Sequence, residues 1–202
     1  SVVLSMEYLT SFATLRTGVN AHTSEYDSTI TNPNAAAFEV RNFNAISRDL
    51  NSVYVEALQE TGTHQWEVGA RYNRVSTDAG TVGASGMMGM MAMNATMLAN
   101  NFNSAERALD FSDANAVAKY TYVFNTMHSL LLGAASKSGA PSHQELYLWL
   151  PLQATGGLAD GRSYIGNMNL KSERANEVTI GWDYSSKTAR VSPQVFMKKI
   201  DD

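Results

Sequence analysis

Two lengths of connection take turns along this chain, and that regularity constrains the fold more than any other feature. The connected segments run about nine to twelve residues and alternate apolar with polar side chains. In 64–75, Trp66, Val68, Ala70 and Tyr72 share one face, and Glu67, Gly69, Arg71 and Asn73 share the other. In 175–184, Val178, Ile180, Trp182 and Tyr184 oppose Glu177, Thr179, Gly181 and Asp183. A repeat of two means a strand with one apolar and one polar face. The same pattern runs through 2–9, 13–23, 48–59, 115–125, 128–138 and 188–199, where Pro193 predicts a bulge because it cannot donate to a ladder. Tight turns are expected near 10–13, 60–63, 125–127 and 185–187, and long loops at 24–47, 76–114 and 139–174. In an up-and-down antiparallel sheet every second connection lies on the same edge, so the long loops gather at one end. Outer-membrane barrels have this arrangement, with short periplasmic turns and long extracellular loops.

Segment length agrees, since a tilted strand needs about 9–11 residues to cross a bilayer while strands of soluble proteins are nearer 5–6. On this reading Trp66, Tyr72, Tyr120, Phe124, Leu130, Leu132, Ile180 and Trp182 meet lipid, with aromatic residues toward strand ends. Arg16, Glu67, Arg71, Lys119, Glu177, Asp183 and Arg190 line the lumen. A soluble β-sandwich is the competing arrangement, with the charged face turned to water. No window approaches the ~18 uninterrupted apolar residues of a membrane helix. The net charge of -4 and the lack of a basic run give no footprint for nucleic acid. With no cysteine, disulfides and thiolate metal sites are excluded.

Candidate chemistry is concentrated in 83–97, GASGMMGMMAMNATM, which holds Met87, Met88, Met90, Met91, Met93 and Met97, six of the chain's ten methionines. Thioether sulfur is a soft, neutral donor that suits Cu(I) and discriminates against hard ions. Three or more thioethers on a glycine-softened loop are enough to gather such an ion. The alternative is a helical turn whose methionines fill gaps between loops; both readings stay open on the residues alone. His22 is placed on the lumen wall and His143 in the last long loop, each read as a surface histidine before a ligand. Ser142, His143 and Glu145 are neighbours in sequence, whereas a catalytic triad is assembled from separate elements. There is no Gly-x-Ser-x-Gly elbow, and Gly156-Gly157-Leu-Ala-Asp160-Gly161 lacks a phosphate-binding context. Asp110, Asp113 and Asn115 fit no calcium loop and read as solvated loop residues. No enzymatic constellation emerges.

The stretch 136–184 adds a resemblance. Lys137, Pro141 and Glu145, then Asn167, Leu170 and Glu173, then Glu177, Gly181 and Tyr184 match a pattern late in the barrel of TonB-dependent outer-membrane receptors. The string SHQELYLWLPLQATGGLADG, with its aromatic-apolar knot at 146–151, resembles the copper receptors of that family. Ser172 departs from the pattern, which has proline there. The resemblance runs from about Thr17 to the end. It implies an all-β, antiparallel up-and-down transmembrane barrel of about 22 strands closed around a plug. This chain would supply about nine strands and three extracellular loops of that wall. Both chain ends read as cut from a longer protein, and the plug and the TonB-contacting box are expected outside this stretch. The implied function is TonB-dependent import across the outer membrane with copper as the transported ligand, no resident cofactor, and the methionines of 87–97 as ligands. Import of siderophores or other metal chelates, and a passive porin-type channel, are the alternatives.

Overall fold

The period-two segments all form strands, and several run on past their expected ends. A computed structural model describes residues 1–201. The elements in chain order are β1 (Val2–Leu9), β2 (Thr14–Asn32), β3 (Ala35–Gln59), β4 (His64–Asp78), β5 (Gly83–Ser85), α1 (Gly89–Ser104), β6 (Leu109–Val123) and β7 (His128–Gly139). There follow α2 (His143–Tyr147), a 3-10 turn (Gln153–Thr155), β8 (Leu158–Ala159), β9 (Arg162–Ser163), β10 (Glu173–Ser185), β11 (Arg190–Val191) and β12 (Gln194–Asp201). Eight long strands make one antiparallel wall in the order β1-β2-β3-β4-β6-β7-β10-β12, each paired with its neighbour in sequence. β5 adds to β3, and β11 to β10. Among the described residues no helix is long and apolar enough to cross a membrane, so any crossing is made by strands.

Cross-strand register carries each face through the whole wall. One row runs Gln59, Trp66, Tyr120, Leu132, Ile180 and Val195; the next runs Ala57, Val68, Ala118, Ala134, Val178 and Met197. On the other face Glu7, Arg16 and Glu56 share a row, joined by ion pairs of 2.7 and 3.9 Å from Arg16. A neighbouring row brings Tyr54 beside Arg71, whose guanidinium lies 6.0 Å from the ring centroid. Gly18 sits opposite Tyr54 and makes room for it, because a Cβ there would meet the ring at 2.7 Å. Among the described residues none covers the apolar face. Val2, Leu4 and Met6 are about 70 % exposed, and Ile180 and Trp182 about half. A contiguous apolar surface of this extent belongs against another apolar phase. The band has ends: on β4 it begins at His64 and Trp66 and stops at Arg74. Ten steps of about 3.3 Å, tilted by ~45°, give about 23 Å of height, close to the ~25 Å lipid-facing band of such barrels. At the short-turn end aromatic groups cluster. His128 stacks on Trp182 at 5.4 Å, Tyr122 meets Phe124 edge-on at 4.8 Å, and His64 Nδ1 is 2.6 Å from the Tyr120 hydroxyl.

Four expectations change. The stretch 24–47 is not a loop but the upper part of the β2–β3 hairpin, closed at Asn32↔Ala35 around Pro33-Asn34. Its pairing slips register between Tyr26 and Thr29, where Asp27 Oδ1 accepts from the Ala45 N–H at 2.7 Å. That irregularity breaks the alternation that betrays a strand. The other long connections shorten to 79–108 and 140–172, because β4 and β6 stay paired up to Thr77↔Leu109. Pro193 causes no bulge: β11 and β12 keep one register on β10, and the Pro193 carbonyl accepts from the Trp182 N–H at 3.1 Å. Only the return bond is lost, as proline has no N–H. Asp110, Asp113 and Asn115 lie on β6, not in a loop, and Asp113 is buried, accepting from Ser138 Oγ at 2.9 Å and Ser172 Oγ at 3.1 Å.

The dry core lies at the long-connection end, outside the band. Val40 and Ile46 from the tall hairpin meet Ala79, Val82, Ala95, Ala99 and Phe102 from 79–108. Leu146, Tyr147, Trp149 and Leu150 from 140–172 complete it, and Tyr147 and Leu146 are fully buried. Three connections far apart in sequence thus form one lid on the wall.

Candidate functional site

The lid exists because each connection carries apolar groups that no strand position can bury, and because its polar groups are answered locally. The Trp149 indole N–H donates to the Arg41 carbonyl at 3.0 Å, tying the last connection to the tall hairpin. The Tyr147 hydroxyl donates to the Arg107 carbonyl at 2.7 Å, tying it to the middle one, and its ring meets Phe102 edge-on. Burial pushes the Tyr147 hydroxyl above the usual phenol range, so it stays a donor. The Arg48 guanidinium donates to the Pro141 carbonyl at 2.8 Å.

Helix α1 is held at its C-terminal end. Arg107 Nε donates to the Ala79 carbonyl at 2.9 Å, and Nη1 donates to the Asn103 carbonyl at 2.6 Å, with longer contacts to Phe102 and Ala105. A cation over the last carbonyls satisfies orphan acceptors and the helix dipole together. The Asn103 amide pairs with both Val82 backbone groups, at 2.9 and 3.0 Å. At the other end Gly86 has φ +69 and lies against Ala37, where a Cβ would come within 2.2 Å of a carbonyl oxygen, so only glycine brings the chain round. Gly89 opens the helix at φ +61, with Met88 as an N-cap that makes no side-chain bond.

The six methionines fall in different places. Met87 packs half-buried against the core. Met88 is outside the helix and 87 % exposed. Met90, Met93 and Met97, at i, i+3 and i+7, share the helix face opposite Ala95, Ala99 and Phe102, and are 77 %, 73 % and 55 % exposed. Met91 stands on the flank, 56 % exposed. Residues three and four apart on a helix have Cβ atoms about 5–6 Å apart. The long, flexible Met93 thioether can therefore meet either neighbour of the stripe at one point. Packing between loops, the other use of such methionines, is realised for Met87 alone among the six. Among the described residues no group of three or more His, Asp or Glu side chains gathers in metal-binding geometry.

His143 is not free on the surface. It stacks on Tyr26 at 4.1 Å and meets Phe43 edge-on at 5.3 Å. Burial first, then the nearby Arg48 charge, holds its imidazole below the ordinary value and therefore neutral. Ser142 and Glu145 are occupied by each other. The Ser142 N–H donates to Glu145 Oε2 at 2.7 Å, and the Glu145 N–H donates to Ser142 Oγ at 3.2 Å, a capping box for α2. The Ser142 backbone bond, then its side chain, hold the Glu145 carboxyl below the usual range. His22 lies on β2, paired with Leu50 of β3. The exposed stripe was hidden in the sequence, because the methionine spacing alone does not say which side of a helix meets a core.

A family model described as TonB dependent receptor-like, beta-barrel, matches residues 5–202. Two similar solved structures are the FrpB iron transporter from Neisseria meningitidis as the F3-3 variant and as the F5-1 variant in its apoprotein form. The first has a TM-score of 0.60 at 19% identity, over 98% of this chain and 27% of that chain. The second has a TM-score of 0.61 at 17% identity, over 99% of this chain and 28% of that chain. The chain thus spans about a quarter of the length of either structure, and at these identities the likeness is one of fold. No curated protein matches.

Proposed function

We propose, since the chain belongs to the TonB dependent receptor-like β-barrel family, that it forms part of the wall and the ligand-facing lid of an outer-membrane import receptor. The lipid of that membrane covers the apolar face, the lid faces the exterior, and a TonB complex supplies energy through a part of the protein outside this chain. Its ligand is a metal ion or metal chelate, and the finer reading is copper in its soft, monovalent form. The observation that carries the finer reading is the stripe Met90, Met93 and Met97, with Met88 and Met91 beside it, exposed on a helix fixed from behind. Neutral thioethers bind Cu(I) without losing a proton and leave hard cations hydrated. The sandwich alternative finds no support: among the described residues the one other sheet is the two-stranded β8–β9 pair, and the apolar face of the wall is left exposed.

A second reading, import of an iron chelate, is favoured by the iron transporters of similar fold. The two separate in the metal content of the full-length receptor, purified from outer membranes in detergent after copper exposure. It is compared with a variant carrying leucine at Met87, Met88, Met90, Met91, Met93 and Met97. Stoichiometric copper that falls in the variant is expected. Equal copper in both moves the site elsewhere in the receptor. No copper in either overturns the copper reading and favours the chelate. Copper uptake that survives loss of TonB overturns active import in favour of a passive channel.

A further inference from the structure

The exposed methionines stand where an oxidant reaches sulfur without disturbing the fold. Met88, Met90, Met91, Met93 and Met97 are each more than half exposed, while α1 is held by the opposite face through Ala95, Ala99 and Phe102. Met87 and Met168, by contrast, pack half-buried against the lid core. Thioether oxidation needs an approach to a sulfur lone pair, so exposure sets its selectivity. We infer that this methionine helix is a modification site for two-electron oxidants of the peroxide class, and that its oxidation switches off soft-metal capture while leaving the lid folded. The second half rests on the reading of the helix as a metal-capturing surface.

The step balances with one oxidant. The sulfur lone pair attacks one peroxide oxygen, the O–O bond breaks, an S–O bond forms, and the departing hydroxide takes the remaining proton as water. Sulfur loses two electrons and the peroxide gains them. The product sulfoxide offers an oxygen, a harder donor than the thioether it replaces, so a soft ion loses its ligands. Sulfoxides disrupt protein interiors by placing a polar group there. Here the five reactive groups lie outside the core, so the interior is spared. The change is reversible by methionine sulfoxide reductases, which act on accessible sulfoxides.

The test uses the full-length receptor in detergent, treated with dilute hydrogen peroxide for increasing times. Three readouts are taken on each sample: peptide mass mapping, binding of silver(I) as a soft ion that is not itself reduced or oxidised here, and resistance of 140–172 to trypsin. The five exposed methionines are expected to gain oxygen about tenfold faster than Met87 and Met168. Silver binding should fall in step with them, trypsin resistance should hold, and reductase treatment should restore binding. Equal rates at all seven positions, or loosening of 140–172 as the five react, overturn the inference. Selective oxidation with silver binding unchanged overturns the switch. An untreated receptor that binds no silver overturns the metal reading instead, and the mass map then still decides the modification site.

Discussion

The wall and the lid use apolar side chains in opposite ways. In the wall, Val178, Ile180 and Trp182 point away from the protein and are about half exposed. In the lid, Leu146, Tyr147 and Trp149 are at most 2 % exposed. The wall relies on a lipid phase to cover its apolar face and on a continuous ladder to satisfy its backbone, as a membrane-spanning sheet must. The lid carries its own solvent-excluding core and behaves like a small soluble domain set on a membrane sheet. A change that damages one should therefore leave the other standing, and each of the following outcomes tests that separation.

The largest effect is expected from Trp149→Ala, which removes a buried ring and its bond to Arg41. It should cost the lid about 3–5 kcal/mol, and hydrogen exchange should speed up across both 79–108 and 140–172 while β6, β7 and β10 keep their protection. Exchange that speeds up in only one connection would show two lids rather than one. Next is Ile180→Arg, in the middle of the lipid-facing band, expected to cost about 2–4 kcal/mol in folding into bilayers. Thr179→Arg, one residue away on the other face, should be tolerated; equal costs would mean that the faces are assigned wrongly. Arg107→Met removes the charged donors to Ala79 and Asn103 and should destabilise α1 by about 1.5–3 kcal/mol, read as faster exchange in 89–104 with β4 unaffected. Ser172→Ala removes one hydroxyl bond to buried Asp113. It should loosen only 168–172, by about 1 kcal/mol, seen as local proteolysis.

The smallest effect is one of pH. His143 is held neutral in the folded lid by burial and by Arg48, so its folded value lies below the unfolded one. Protection of α2 should then be full above the ordinary imidazole value of about 6.5 and fall as pH drops below it toward the lowered folded value. His143→Phe keeps the stack on Tyr26 and should remove that dependence. A slope that persists in this variant would place it on another group. Glu145, whose carboxyl is also held below its usual range, would respond only in more acidic solution.

The two regions also differ in what their residues declare. Along 64–75 and 175–184 each side chain states its face by its parity, because a pleated strand is a local structure with a repeat of two. The register that aligns Trp66 with Tyr120, Leu132 and Ile180 then preserves that parity across strands. Along 24–47 the same logic fails, since the pairing slips twice around Asp27 and again at Asn32, and each slip changes which residues face each other. In the lid the knot at 146–150 announces burial by composition, but its partners Val40, Ile46 and Phe102 lie some 45 to 110 residues away along the chain.

What the chain's residues determine by themselves is therefore most of the sheet: its strands outside 24–47, their two faces, the tight turns, and the concentration of thioethers in 87–97. Each of these depends on near neighbours or on simple counting. What only the tertiary structure decided is the fate of those thioethers. The lid core, closed by Trp149 on Arg41 and by Arg107 on Ala79, claims one side of α1 and half-buries Met87. The other side is left to Met90, Met93 and Met97 because a helix can bury only the face for which distant residues provide a partner.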